Sequence, residues 1–198
     1  MASGTRLPAA RRRQQLLDVA LRVFSERGFH ETSMNEVAEA AGVTKPVLYQ
    51  HFGSKHDLFR ELVTDVGGRL KEEIIQATAA ATNPRRQVED GFRAYFRFAA
   101  DHPEAFRVLF GGAARREVDL ASEARKVEDT MAHVVASLID VPGLSEEERT
   151  LLGYGVVGLA EGASRQWMTA GDGLDPDRVA ARCADLAWAG LRSVRATD

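Results

Sequence analysis

Between Ser33 and His51 there is room for only two short helices, and the residues joining them, Ala41-Gly42-Val43, decide how they meet. A glycine at that point lets the backbone take a tight left-handed turn, and Val43 can plug the angle between the helices. Ser33, with Glu36 three residues on, fits a capping box that starts the first helix and turns Val37 and Ala38 inward. Thr44 is placed to cap the second helix, and Pro46 is tolerated because it falls in the first turn. That second helix, Lys45–His51, has the size of an element that enters a DNA major groove with its N-terminal residues facing base edges.

The rest of the chain reads as helical. No run shows sustained period-2 alternation, so the expected fold is all-α. Residues 1–10, with Ser3, Gly4 and Pro8, read as a disordered basic arm. A first helix over Arg11–Arg27 carries the stripe Leu16, Ala20, Val23, Phe24, with Gly28 as its left-handed cap. Ser54 and Asp57 cap a fourth helix that runs to about Ala81, on the order of 40 Å. Asn83-Pro84 opens a fifth, ending near Asp101. Pro103 opens a short sixth, halted at Gly111-Gly112. The seventh covers Val118–Asp140, with Val127, Met131, Val134 and Leu138 on one face, and ends at Pro142-Gly143. Ser145 and Glu148 cap the eighth, which reaches Ala170, and Asp175-Pro176 opens a ninth to Arg195. The organisation expected is a three-helix head at 11–56 and a six-helix body at 57–198, with the fourth helix connecting them.

The net charge of −3 argues against nucleic-acid binding only until its distribution is considered. Residues 1–60 hold nine Lys or Arg against six Asp or Glu, and the excess of acid lies in the remainder. Local charge governs contact with phosphate, so the head is the basic end. No apolar run approaches the ~20 residues of a membrane span, and no apolar stretch after the basic N-terminus suits a secretion signal. A single cysteine, Cys183, fits a reducing compartment. The expected location is therefore the cytoplasm, in association with the nucleoid, with no membrane partner.

The run from Ala20 to Leu58 resembles the DNA-binding domain of the TetR family. The residues that carry the resemblance are Ala20, Phe24, Gly28, Phe29, Thr32, Ser33, Val37, Ala38, Ala41-Gly42-Val43, Leu48-Tyr49, Phe52, Ser54-Lys55 and Leu58. Physics and resemblance together assign the roles. Lys45 would reach a guanine edge or a phosphate, and Tyr49 and His51 would donate to phosphate oxygens. Lys55, at a helix N-terminus, and Thr32 would do the same. Gln50 is the candidate base reader. Ser33, Thr44 and Pro46 belong to the same DNA-binding surface, while Leu48 and Phe52 pack inward. Arg11-Arg12-Arg13 either enters a minor groove or pairs with phosphates, or is the solvated start of a helix.

In the body, aromatics concentrate between Phe92 and Phe110. Ordinary core accounts for such a stripe. The sharper alternative is a ligand pocket lined by Phe92, Tyr95, Phe96, Phe106, Phe110, Met131 and Trp167, where the resemblance implies a small-molecule effector, of apolar or aromatic character by its lining. Gly67-Gly68, inside the fourth helix, is either a hinge between head and body or a point of close packing. The glycines of the eighth helix call for close approach of another helix. By resemblance, Gly155, Gly158 and Gly162 with Cys183, Leu186 and Leu191 of the ninth would form a homodimer interface, so that two heads read a palindromic operator. Cys183 itself reads as a small buried apolar residue.

The resemblance implies a regulator, by family habit a repressor released from double-stranded DNA by its effector. It implies no cofactor, no metal and no catalysis. Gly153-Tyr-Gly-Val-Val-Gly158 matches the dinucleotide-binding glycine pattern in spacing, but lies inside a capped helix rather than after a strand. A helical adaptor, or a small-molecule binder without sequence-specific DNA binding, is the rival reading; mixed charge on the ninth helix disfavours a membrane surface.

Overall fold

A computed structural model describes residues 8–110, 118–170 and 173–195. Among these residues there are nine helices and no strand: α1 (Ala9–Glu31), α2 (Met34–Ala40), α3 (Lys45–His51), α4 (Lys55–Ala79), α5 (Pro84–Asp101), α6 (Pro103–Phe110), α7 (Val118–Leu138), α8 (Glu146–Ala170) and α9 (Pro176–Leu191). Residues 1–7 of the expected arm and the Gly111-Gly112 stop lie outside the described residues.

The head consists of α1–α3 closed by the start of α4. Leu16, Ala20, Phe24, Val37, Leu48 and Phe52 form its buried centre, and Phe59 of α4 meets Phe24 edge-on at 5.3 Å. Helix α1 begins at Ala9, so the last two residues of the expected arm are helical. It also overruns its expected end: the chain breaks at Gly28 (φ +82°, ψ 170°), short of a regular left-handed cap, and takes one more turn to Glu31. The capping box of α2 forms as expected. Ser33 N–H donates to Glu36 Oε2 at 2.8 Å, and Glu36 N–H donates to Ser33 Oγ at 3.3 Å. The turn into α3 rests on Gly42 at φ +64°, a conformation other residues adopt only with strain. Thr44 does not cap α3 with its hydroxyl. Pro46 offers no N–H at the second position, and the Val47 N–H at the third is held by the Thr44 carbonyl at 2.9 Å.

Helix α4, about 38 Å long, belongs to both parts. Its first half closes the head, and its second half packs on α5 and α7. In the body, α5 lies against α9, α7 against α8, and α6 returns to α1. Two glycines set the close approaches. A Cβ on Gly153 would stand 2.3 Å from the Ala132 carbonyl oxygen, so α7 and α8 touch at backbone distance there. A Cβ on Gly67 would stand 2.6 Å from Val127 Cγ2, whereas one on Gly68 would meet nothing within 4 Å. The pair is thus resolved into a packing glycine and an exposed one, within an unbroken helix.

Candidate nucleic-acid interface and interior cavity

Helix α3 presents one polar face outward. Lys45, Pro46, Tyr49 and Gln50 are exposed, as is Thr44 just before it, while Leu48 is fully buried behind them. Tyr49 is 44% exposed, with the Lys45 ammonium 5.9 Å from its ring centroid. A large aromatic ring left open beside a lysine, on a helix of groove-fitting size, is suited to phosphate and base contact. His51 is half-buried against Phe52, with ring centroids 6.3 Å apart. Ser33 lies on the surface, but its hydroxyl serves the α2 cap.

Three cations or donors assigned to DNA are engaged inside the head instead. Thr32 is 1% exposed, and its hydroxyl donates to the Gly28 carbonyl at 2.7 Å. Lys55 turns back onto the α1–α2 junction. Its ammonium donates to the carbonyls of Phe29 and Thr32, each at 2.8 Å, and of His30 at 3.3 Å, and lies 4.4 Å from the Phe29 ring centroid. The physical cause is the break at Gly28: a helix end leaves carbonyls without intrahelical partners, and an ammonium satisfies several at once. Within the basic triplet, Arg13 pairs with Glu61 and its guanidinium covers the Phe52 ring at 4.6 Å, and Arg12 bonds Gln15; Arg11 remains exposed. The reading of the whole triplet as a DNA arm therefore does not extend to Arg13. Gln14 of α1, donating to Asp65, and Asp18 of α1, paired with Arg69, tie α1 further to α4.

The body encloses a cavity of about 630 Å³ among α4, α5, α7, α8 and α9, with Phe110 at the end of α6. Of the residues expected to line a pocket, Phe92, Tyr95, Phe110 and Met131 do so. Phe96, Phe106 and Trp167 do not. Phe96 is fully buried and meets Tyr95 and Trp167 edge-on, Phe106 lies tilted against Phe110 with centroids 4.5 Å apart, and the Trp167 indole donates to the Leu174 carbonyl at 2.8 Å. The wall that sequence reasoning missed comes from Leu70 and Ile74 of α4, Val134 and Leu138 of α7, and Trp188 of α9. The α7 stripe is visible in the sequence as a face, but nothing in its spacing separates a face that meets protein from one that meets space. Along α7 the lining runs from Val127 to Leu138, about 16 Å. Val127 and Tyr95 at one end are buried; Asp140, Arg192 and Arg195 at the other are exposed.

The expected interface residues divide similarly. Cys183 is buried within the chain's own core, where burial pushes its thiol pKa up, and Leu191 lines the cavity. Gly155 and Gly158 are exposed, Gly162 is half-buried, and none has an atom within 4 Å of a built Cβ. With Leu151, 71% exposed, they form an i, i+4, i+7, i+11 stripe, and Leu186 of α9 is 63% exposed.

A helix-turn-helix head mounted on an all-helical, cavity-bearing body defines a class of DNA-binding regulators, and comparison with known proteins agrees. The family model for bacterial regulatory proteins of the tetR family matches residues 16–62, and the model for the Tetracyclin repressor-like C-terminal domain matches residues 84–190. The HTH-type transcriptional activator FasR of Mycolicibacterium smegmatis is 31% identical over 195 residues, covering 98% of this chain and 89% of its own. A TetR-like transcriptional regulator from Rhodococcus sp. RHA1 superposes with a TM-score of 0.75 at 32% identity, over 96% of this chain and 100% of that one. FadR from Bacillus subtilis, solved in complex with stearoyl-CoA, shares the fold with a TM-score of 0.79 at 17% identity, over 89% and 98%. The chain belongs to the TetR family and is a transcriptional regulator rather than an enzyme.

Proposed function

We propose that this regulator reads a palindromic operator as a homodimer and loses affinity for it when a long-chain acyl amphiphile fills the body cavity. The observation that carries this reading is that α4 is a wall of the cavity and the floor of the head at once. Leu70 and Ile74 line the cavity, and the same helix is fixed to α1 through Lys55, Glu61 and Asp65. An occupant that pushes on α4, directly or through Val127 against Gly67, must move the head.

Lys45, Pro46, Tyr49 and Gln50 make the base and phosphate contacts, with Thr44 and His51 at the margin. One such head offers few contacts, so two are needed. The exposed stripe Leu151, Gly155, Gly158, Gly162, with Leu186, supplies a face on which a second copy can pack closely about a two-fold axis. The effector class follows from the cavity's length, its aliphatic and aromatic lining, and the exposed Arg192 and Arg195 at its mouth, which suit an anionic head group. The stearoyl-CoA complex of the FadR relative supports the same class. Repression follows where the operator overlaps a promoter; operator placement, rather than the fold, sets the sign.

Selection of random duplex DNA by the purified protein, followed by sequencing, tests the operator. A pseudo-palindrome with half-sites about a helical turn or more apart is expected. Enrichment of a single unrepeated half-site would refute the dimeric reading.

A further inference from the structure

Helix α4 lies between α7 and α1, and its two sides are packed differently. On the α7 side the fit is tight: Val127, which also lines the cavity, occupies the space that a side chain at position 67 would need. Arg69 comes two residues later, about 200° round the helix, so it points away from Val127 and towards α1. Asp65 shares that side with Arg69 at the i, i+4 spacing.

On the α1 side the ties slacken along α4. Arg13 and Glu61 are in direct contact, Gln14 Nε2 donates to Asp65 Oδ2 at 3.3 Å, and Arg69 Nη1 comes only within 4.0 Å of Asp18 Oδ1. The Gln14 amide spans the two carboxylates, since it also donates to Asp18 at 3.2 Å. Arg69 Nη2 stands 3.0 Å from Asp65 Oδ2, paired by charge but out of line for a hydrogen bond. The guanidinium thus lies between two carboxylates and hydrogen-bonds neither, and its Nε and Nη2 are buried without an acceptor among the described residues. Buried N–H groups left unpaired cost free energy, so a shift of α4 that aligns them is rewarded.

We propose that Arg69 and Asp18 form a latch that closes when the effector is bound and holds the head in its DNA-released setting. This rests on the reading that an occupant of the cavity displaces α4. Pressure on Val127 is delivered at Gly67 and drives α4 towards α1, the side on which Arg69 faces Asp18. A displacement of about 1 Å brings that pair from 4.0 Å to the length of a charge-assisted hydrogen bond. Arg69 is a positioning residue: it lines neither the cavity nor the exposed face of α3, and its bond to Asp18 exists only in the released setting.

The test compares Asp18→Asn, Arg69→Gln and the double variant with their parent, all carrying Trp167→Phe so that Trp188 on the cavity wall is the sole tryptophan. Trp188 fluorescence gives the palmitoyl-CoA Kd. Anisotropy of the selected operator duplex gives the operator Kd with and without saturating palmitoyl-CoA. Without effector, the operator Kd should match the parent's. The factor by which palmitoyl-CoA raises it should fall about three- to fivefold in each single variant, near the top of the range for a partly exposed ion pair. Palmitoyl-CoA binding should weaken by the same factor, because coupling is reciprocal. The double variant should lose no more than either single one. An unchanged coupling factor, with or without a changed effector-free operator Kd, or losses that multiply in the double variant, would overturn the latch and leave the effector reading standing. Palmitoyl-CoA that fails to bind the parent, or fills it without moving the operator Kd, would overturn the effector reading and the latch with it.

Discussion

The head and the body achieve function by opposite means. The head works through atoms that are present: exposed side chains on one short helix, aimed by a turn and a cap. The body works through a space, bounded by residues from six helices and defined by where side chains stop. Local chemistry governs the first, and long-range packing governs the second. The comparison teaches that one chain can carry a site fixed by a few neighbouring residues alongside a site that exists only once the whole domain has assembled.

The sharpest way to break the comparison is to treat cavity wall and core as interchangeable. Phe96→Ala removes a fully buried ring and should destabilise the protein by about 3–5 kcal/mol. Phe92→Ala, whose ring faces the cavity, should cost clearly less and change effector affinity instead. Equal losses in thermal unfolding would erase the distinction between wall and core. The next largest effect belongs to the α7–α8 contact. Gly153→Ala places a methyl against a backbone carbonyl, which cannot move aside as a side chain can, and should cost about 2–3 kcal/mol. Gly68→Ala, with open space around it, should instead stabilise α4 by about 1 kcal/mol. Denaturant midpoints of the two variants should therefore move in opposite directions.

On the head, the expected signature is affinity without stability. Lys45→Ala should leave the melting temperature unchanged, weaken operator binding about tenfold, and lower the salt-dependence slope by about one. Lys55→Ala should do the reverse in kind: a lower melting temperature from the orphaned carbonyls at the α1–α2 junction, with operator binding weakened only through that loosening. The smallest effect is on acidification. Hydrogen bonds from the Ser33 backbone and hydroxyl hold Glu36 below the usual carboxylate pKa, and hydrogen bonds from Arg97 hold Asp177 below it. A depressed folded-state pKa stabilises above the ordinary carboxylate range and is lost as pH falls through the folded value. A shallow loss of stability on the acid side of that range is expected, slightly reduced in Arg97→Ala.

Much of the head is legible in the amino-acid sequence because its signals are local. The Ser33–Glu36 box, Gly42 and the inward Leu48 each follow from three or four residues. The misreadings in the head are local as well: Thr32 and Lys55 look like phosphate contacts by type and position, yet the break at Gly28 creates carbonyls that claim Lys55, and its own carbonyl claims Thr32. In the body, the helices and most of their ends follow from caps and prolines. The lining does not. Phe92 and Phe96 sit one turn apart with similar chemistry, and only the placement of α9 and Trp167 makes one a wall and the other a core. Cys183 and Leu186 likewise share a helix and an apolar character, yet one points at α5 and the other at solvent.

The central claim is that filling the body cavity controls the head. Fluorescence anisotropy of the selected operator duplex, titrated with protein in the presence and absence of saturating palmitoyl-CoA, tests it directly, with Trp188 fluorescence reporting occupancy in the same samples. The account predicts that occupancy raises the operator Kd at least about tenfold, a coupling of about 1.4 kcal/mol. Full occupancy with an unchanged operator Kd would contradict it.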